Sequence, residues 1–147
     1  MKFSEAKTGR LFVLRLYNGE ILHKEIEKFA KMKNISCASV SVVGGIDKGS
    51  ILIVGPNDGY AEVIEPMQHI IENVCEVTGT GTIFPNENDL PVLHMHIAAG
   101  RKDKTITGCI RAGVKVWLVM EVIVQEIINC SAKRKKDIDT TFELMTP

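Results

Sequence analysis

The chain has 147 residues, of which 45% are apolar, enough to build one domain around a single core. Lys plus Arg and Asp plus Glu each number 18, so the formal net charge is zero. This composition excludes a disordered chain and argues against a domain with a large basic surface for nucleic acid.

The sequence shows no signal peptide and no apolar run long enough to span a membrane. Its four cysteines lack the Cys-x-x-Cys spacing of zinc knuckles and thioredoxin-type motifs. We therefore expect one domain over residues 1–147, located in the cytoplasm with reduced thiols.

The first half of the chain predicts one helix among short strands. A strand is predicted over residues 9–17, followed by a helix over residues 20–33. Within that helix, Leu22, Ile26, Phe29 and Ala30 recur on one face, which is the pattern of a half-buried helix. Further strands are predicted over residues 37–43, 48–54 and 60–64.

The second half predicts strands only. They cover residues 69–82, 92–100, 105–110 and 115–128, the last being rich in β-branched residues. The glycines of the Thr-Gly-Thr-Gly-Thr segment at residues 78–82 indicate a bulge, a bend or a crowded backbone.

One helix and about eight strands joined mostly by short turns define the expected fold class. It is an α+β domain with a largely antiparallel sheet, curved like an open barrel and covered on one side by the helix. The basic run Lys133–Lys136 near the C-terminus is most simply a solvated charge run, with nucleic-acid contact as the alternative.

Two histidines stand two residues apart in an apolar strand. Because strand side chains alternate between faces, His94 and His96 share one face, while Leu93, Met95 and Ile97 point to the core. Paired imidazoles on a strand are a common way to hold a transition metal. The simpler interpretation is a pair of surface or hydrogen-bonded histidines.

The next strand offers a third metal ligand. If the hairpin turns on Lys102 and Asp103, Cys109 lies opposite His96, and a shift of two residues would put it opposite His94. Both registers gather two imidazoles and a thiol on one face, whereas a shift of one residue would not. This donor set suits Zn²⁺ or another divalent transition metal and leaves a coordination position open for a small ligand.

Three charged residues are further candidates. Glu121, in the middle of an apolar strand, could act as a general acid/base, ligate the metal or orient an imidazole; an ion pair or a subunit contact is the alternative. Arg101 and Arg111 flank the hairpin and could contact an anionic ligand, although ordinary surface charge would also explain them.

These motifs in their order resemble the PPC domain family, which is conserved in plants and prokaryotes. The resemblance is carried by Leu93-His94-Met95-His96-Ile97, by Thr107-Gly108-Cys109-Ile110 and by Val119-Met120-Glu121-Val122, and it covers about residues 10–128. It implies an α+β fold with a curved antiparallel sheet, usually assembled as a homotrimer.

The resemblance also implies candidate functions. Stand-alone prokaryotic members carry a His-x-His pair and then Gly-Gly-His on the next strand, which can bind a metal; here Cys109 stands at the last position. In plant members the domain follows AT-hook segments that bind A·T-rich DNA, and this chain lacks their Arg-Gly-Arg-Pro core. The fold also resembles that of acetolactate decarboxylase, a zinc enzyme, so a metal-dependent lyase or hydrolase is a third expectation.

Overall fold

The structure, a computed structural model, describes residues 1–138 and 142–147. The chain forms one α-helix, one short 3₁₀ helix (Ile110–Ala112) and ten strands in the described ranges. In chain order these are β1 (Lys7–Tyr17), α1 (Leu22–Met32), β2 (Ala38–Ile46), β3 (Ile51–Pro56), β4 (Pro66–Ile70), β5 (Cys75–Pro85), β6 (Pro91–Arg101), β7 (Lys104–Cys109), β8 (Val116–Ile128), β9 (Lys133–Lys136) and β10 (Glu143–Thr146).

Eight strands form one antiparallel sheet in the order β1-β8-β2-β5-β6-β7-β3-β4. The sheet curves like an open barrel without closing, so β1 and β4 remain its edges. Strands β9 and β10 form a separate antiparallel hairpin near the C-terminus. The predicted α+β fold with a largely antiparallel sheet and one main helix is confirmed.

Helix α1 covers one side of the sheet through the predicted apolar stripe. Leu22, Ile26 and Ala30 are all fully buried and belong to the main core. Burying a side chain of the size of Leu or Ile stabilises the fold by roughly 1.5–3 kcal/mol, so this face anchors the helix. In the described part of the chain, no helix combines the length and apolar character needed to cross a membrane.

Two predicted strands were wrong. Residues 60–64 form bends and turns with no sheet partner, and Tyr60 and Val63 are exposed, so their β propensity finds nothing to pair with. The strand predicted over residues 69–82 is interrupted at residues 71–74. The chain leaves the sheet there because the two strands have different places in it. Strand β4 pairs with β3 at the edge of the sheet, whereas β5 lies in the middle of the sheet between β2 and β6.

The predicted backbone crowding at residues 78–82 is present where β5 pairs with the histidine strand, β6. A Cβ atom at Gly79 would lie 2.7 Å from the carbonyl oxygen of His96 and 2.5 Å from the Ile97 side chain. At Gly81 it would lie 2.7 Å from the His94 carbonyl oxygen and 2.6 Å from the Met95 Cβ. Two glycines therefore let β5 and β6 approach closely, which places the histidine strand within the sheet.

We predict that Gly81→Ala destabilises the protein by about 1–3 kcal/mol, since the added methyl group forces the β5 and β6 backbones apart. The matched control is Gly100→Ala on β6, where a Cβ would meet no atom closer than 3.6 Å. Urea unfolding followed by circular dichroism measures both variants. Equal loss of stability in the two, or none in Gly81→Ala, would contradict the role assigned to Gly81.

Candidate metal site

The two histidines project from β6 on the side of the sheet opposite the core. Leu93, Met95 and Ile97 are each at most 3% exposed, so the strand alternates as its sequence predicts. The Nε2 atoms of His94 and His96 lie 3.1 Å apart, and the two rings meet edge to face. Both imidazoles thus present the same nitrogen to one point above the strand.

Strand β7 brings a thiol to this point. The β6–β7 hairpin turns on Lys102 and Asp103, which places Arg101 opposite Lys104 and His96 opposite Cys109. This is the first of the two registers that the sequence left open.

The donor atoms lie close enough to share one ion. One ligand atom from each of His94, His96 and Cys109 falls within 4.8 Å of the others. Two nitrogens bound at 2.0–2.1 Å by a tetrahedral Zn²⁺ stand about 3.3 Å apart, close to the Nε2–Nε2 separation seen here. Two imidazoles and a thiol are also the donors that zinc and similar ions prefer, so the residues present fit a divalent transition metal.

The electrostatic surroundings favour a neutral imidazole. Partial burial lowers the pKa of His94 below its ordinary value, and the nearby His96, Arg134 and Arg111 lower it further. A neutral ring is the form that ligates a metal, so at neutral pH His94 is ready to coordinate.

The two arginines singled out by sequence lie at different ends of the hairpin. Arg111 follows β7 in the 3₁₀ helix and donates a 2.7 Å hydrogen bond from Nη2 to the carbonyl oxygen of Leu93, next to His94. Arg101 lies five residues beyond His96 on β6, about 17 Å away along the strand, and donates to the carbonyl oxygen of Val74. The structure therefore brings Arg111 to the histidines and leaves Arg101 apart.

Glu121 is on the same side of the sheet as the histidines but not beside them. Strands β2 and β5 separate its strand, β8, from β6, which corresponds to about 14 Å across the sheet. Its neighbours in register are Arg15 on β1 and Val43 on β2, and its side chain is exposed. Within one protomer Glu121 does not reach the His94–His96 pair.

One residue close to the histidines, Arg134, was not predicted from the sequence to lie there. Arg134 belongs to the basic run predicted to be solvated, yet it is only 5% exposed. It donates from Nη2 to the carbonyl oxygen and Oγ1 of Thr82, the residue paired with His94 across β5 and β6. No sequence signal distinguishes Arg134 from its neighbours in the run, because the distinction arises from how β9 packs on the sheet.

A cavity of about 490 Å³ opens over the site. The polar part of its wall is formed by five side chains, those of His94, Cys109, Arg111, Arg134 and Glu143. Single residues of β3, β4 and β10, with Phe142 just before β10, complete the wall. Its volume lies in the range of small-molecule sites. His94 and Cys109 thus face a partly open cavity, and His96 beside them is exposed.

Comparison with known proteins identifies the family. The Plants and Prokaryotes Conserved (PCC) domain matches residues 3–128, which is most of the chain. The protein therefore belongs to the Plants and Prokaryotes Conserved domain family, as the motifs around the histidine strand predicted.

Solved structures share the fold over the whole chain. A metal-containing protein from Archaeoglobus fulgidus has a TM-score of 0.84 with 24% identity, covering 100% of both chains. A plant- and prokaryote-conserved (PPC) protein from Pyrococcus horikoshii has a TM-score of 0.84 with 20% identity, covering 100% of this chain and 98% of that one. A proposed DNA-binding protein from Bacteroides thetaiotaomicron has a TM-score of 0.76 with 18% identity, covering 96% of each chain.

A longer protein contains a related segment. The bifunctional protein GlmU of a Synechococcus strain is 22% identical over 135 residues, which is 90% of this chain. The chain spans only 20% of the length of that relative. The similarity therefore concerns one region of a multi-part protein.

Proposed function

We propose that the protein binds a divalent transition metal, with zinc the first choice, through His94, His96 and Cys109, and uses it to bind or process a small ligand. The observation that carries the proposal is the convergence of three donor atoms within 4.8 Å of one another, two of them from residues that line a cavity, His94 and Cys109. The metal content of the Archaeoglobus fulgidus relative supports it.

Each protein group has a defined part in this site. His94 and His96 would supply nitrogen donors and Cys109 a sulfur donor, and the adjoining cavity would hold the ligand. A metal held there supplies Lewis acidity toward a bound oxygen atom of the ligand. Because thiolate ligation requires Cys109 to stay reduced, the proposal includes a reducing compartment such as the cytosol.

We expect protein purified without a metal-affinity tag to carry or take up roughly one zinc per chain. His94→Ala and Cys109→Ser should each weaken zinc binding roughly 100-fold or more, because each removes a ligand. Elemental analysis and competition with a chromophoric chelator measure this.

The controls change the same residue types elsewhere. His69→Ala alters a histidine on the exposed strand β4, and Cys130→Ser alters a thiol that is half-buried like Cys109. Both variants should keep wild-type zinc affinity. No zinc uptake by the wild type, or equal losses in the controls, would refute the proposed metal site.

The proposal includes assembly as a homotrimer, in line with the family resemblance. An exposed apolar patch supports self-association: Val13 and Ile123 face each other across β1 and β8, and Val43 lies beside them on β2. Val13 is 77% exposed and Val43 54%. Uncovered apolar area of this kind on adjacent strands is typical of a surface that meets another chain.

We expect sedimentation equilibrium to give three times the mass of the chain. Val13→Asp should shift the equilibrium strongly toward monomer, since a carboxylate in an apolar interface would be desolvated without a partner. Ile138→Asp is the control, because Ile138 is exposed but lies away from the sheet. A monomeric wild-type protein would contradict the trimer, and an equal effect of both variants would contradict the assignment of this patch.

An enzymatic role for Glu121 depends on this assembly. Glu121 lies in the same patch, beside Arg15 and Val43. As an acid/base in a metal-dependent lyase or hydrolase it would have to approach the His94–His96 site of a neighbouring protomer. If the Glu121→Gln variant retains its metal and turns over substrate as fast as the wild type, Glu121 has no part in the mechanism.

DNA binding is the alternative function, supported by the proposed DNA-binding protein of the same fold. The chain itself offers little for it. Of the basic run, Arg134 is buried and Lys133 is paired with Asp89 at 2.7 Å, which leaves Lys135 and Lys136 exposed.

If the protein binds duplex DNA through these two lysines, affinity per protomer should fall about tenfold between 50 and 200 mM salt, because two phosphates release their counterions. Fluorescence anisotropy with a labelled duplex measures this, and replacing Lys135 and Lys136 with Ala should abolish the salt dependence. No binding at 50 mM salt would eliminate the alternative.

A further inference from the structure

Arg134 is a buried cation whose hydrogen-bonding capacity is only partly used. Its Nε donates to the carbonyl oxygen of Val92 at 3.4 Å, and its Nη2 donates to Thr82 at 3.2 and 3.3 Å. The Nη1 group takes part in no hydrogen bond to the described residues. Since a guanidinium carries five N–H donors in a fixed plane, these bonds orient Arg134 and leave donors available toward the cavity.

A second guanidinium lines the same cavity. Arg111 donates a hydrogen bond from Nη2 to the Leu93 carbonyl oxygen. Its Nε and Nη1 atoms make no hydrogen bond to the described residues. Arg111 bonds to the residue before His94, and Arg134 bonds to Thr82, which pairs with His94; both guanidinium groups line the one cavity. Two like charges thus converge above the metal donors.

Neither guanidinium forms a close ion pair with a described residue. No carboxylate of the described residues lies within 4.0 Å of either guanidinium. Glu143 is the acidic residue that lines the cavity, and it acts on Arg134 only at longer range. A buried cation without a close partner is costly, and a second cation and a metal ion nearby would raise that cost.

We propose that Arg111 and Arg134 bind the anionic group, a carboxylate or a phosphate, of a small organic ligand. The remaining wall suits the rest of such a ligand: Phe142 and Leu144 line the cavity and are each 46% exposed, so they offer apolar surface to an apolar ligand body. Guanidinium groups match carboxylate and phosphate geometry with two parallel hydrogen bonds, which explains the choice of arginine.

The inference deepens the proposed function, because the anion would lie beside His94 and Cys109. The anion would nevertheless be held by the two arginines and not by the metal. Arg134 and the β9–β10 hairpin lie beyond residues 3–128, the segment matched by the family. The anion site is thus assembled partly from a segment outside the family match.

The test uses three probes of similar size or charge: orthophosphate, butyrate and butyramide, the last being the neutral counterpart of butyrate. Dissociation constants are measured by NMR titration of the full-length chain, with zinc added and again after treatment with a chelator. Arg111→Gln is the main variant, since Arg111 is exposed and its loss should not prevent folding. Arg101→Gln, on the same hairpin but outside the cavity, is the matched control.

We expect butyrate, orthophosphate or both to bind, with butyramide at least about tenfold weaker than butyrate if butyrate is the ligand type. Arg111→Gln should weaken anion binding about tenfold or more, and Arg101→Gln should leave it unchanged. Arg134→Gln should behave like Arg111→Gln when circular dichroism shows that it folds. Preference for one anion identifies the head group, and either preference supports the site.

Three results would overturn the inference. The first is that neither anion binds at 10 mM. The second is that butyramide binds as well as butyrate while orthophosphate does not bind, and the third is that Arg111→Gln and Arg101→Gln change anion binding equally. The two metal conditions separate this inference from the proposed function. Arg111-dependent anion binding in a protein that takes up no zinc would support the anion site and refute the metal site. Zinc uptake without anion binding would support the metal site and refute the anion site.

Discussion

The register of one hairpin governs the candidate site. Side chains of a strand alternate between faces, so the pairing of His96 with Cys109 decides whether the thiol joins the imidazoles or enters the core. A turn of two residues between β6 and β7 sets this register. The same alternation buries Leu93, Met95 and Ile97, so burial of the apolar residues enforces the position of the histidines. A slip of β7 by one residue would turn Cys109 to the other side of the sheet, away from the histidines.

Local patterns account for what the sequence could predict. The apolar stripe of α1, the alternation along β6 and the short turn before β7 are each encoded by neighbouring residues, and the structure agrees with all three. The crowding at Gly79 and Gly81 was visible as a composition signal, although its partner strand was not. The predicted strand over residues 69–82 was wrong because pairing with distant strands, and not local propensity, divides β4 from β5.

Features set by long-range packing were beyond sequence reasoning. Arg134 contacts Thr82 and Val92, which are 52 and 42 residues away in the chain, and nothing in the run Lys133–Lys136 marks it as the buried member. Glu121 shows the opposite case. Its apolar neighbours Met120 and Val122 suggested burial, and both are indeed buried in the core. Glu121 alternates to the opposite side of the strand, which is exposed in the protomer.

The placement of the C-terminal hairpin has a consequence for how such proteins diversify. The candidate donor atoms come from β6 and β7, inside the family segment, whereas β9 and β10 supply part of the wall of the adjoining cavity. Substitutions in this wall can change the size and charge of what fits the cavity while the hairpin that carries the donors stays intact. Under the proposed function, metal binding and ligand selectivity are therefore encoded in separate stretches of sequence, so related chains could share the metal site and differ in the ligands that they bind.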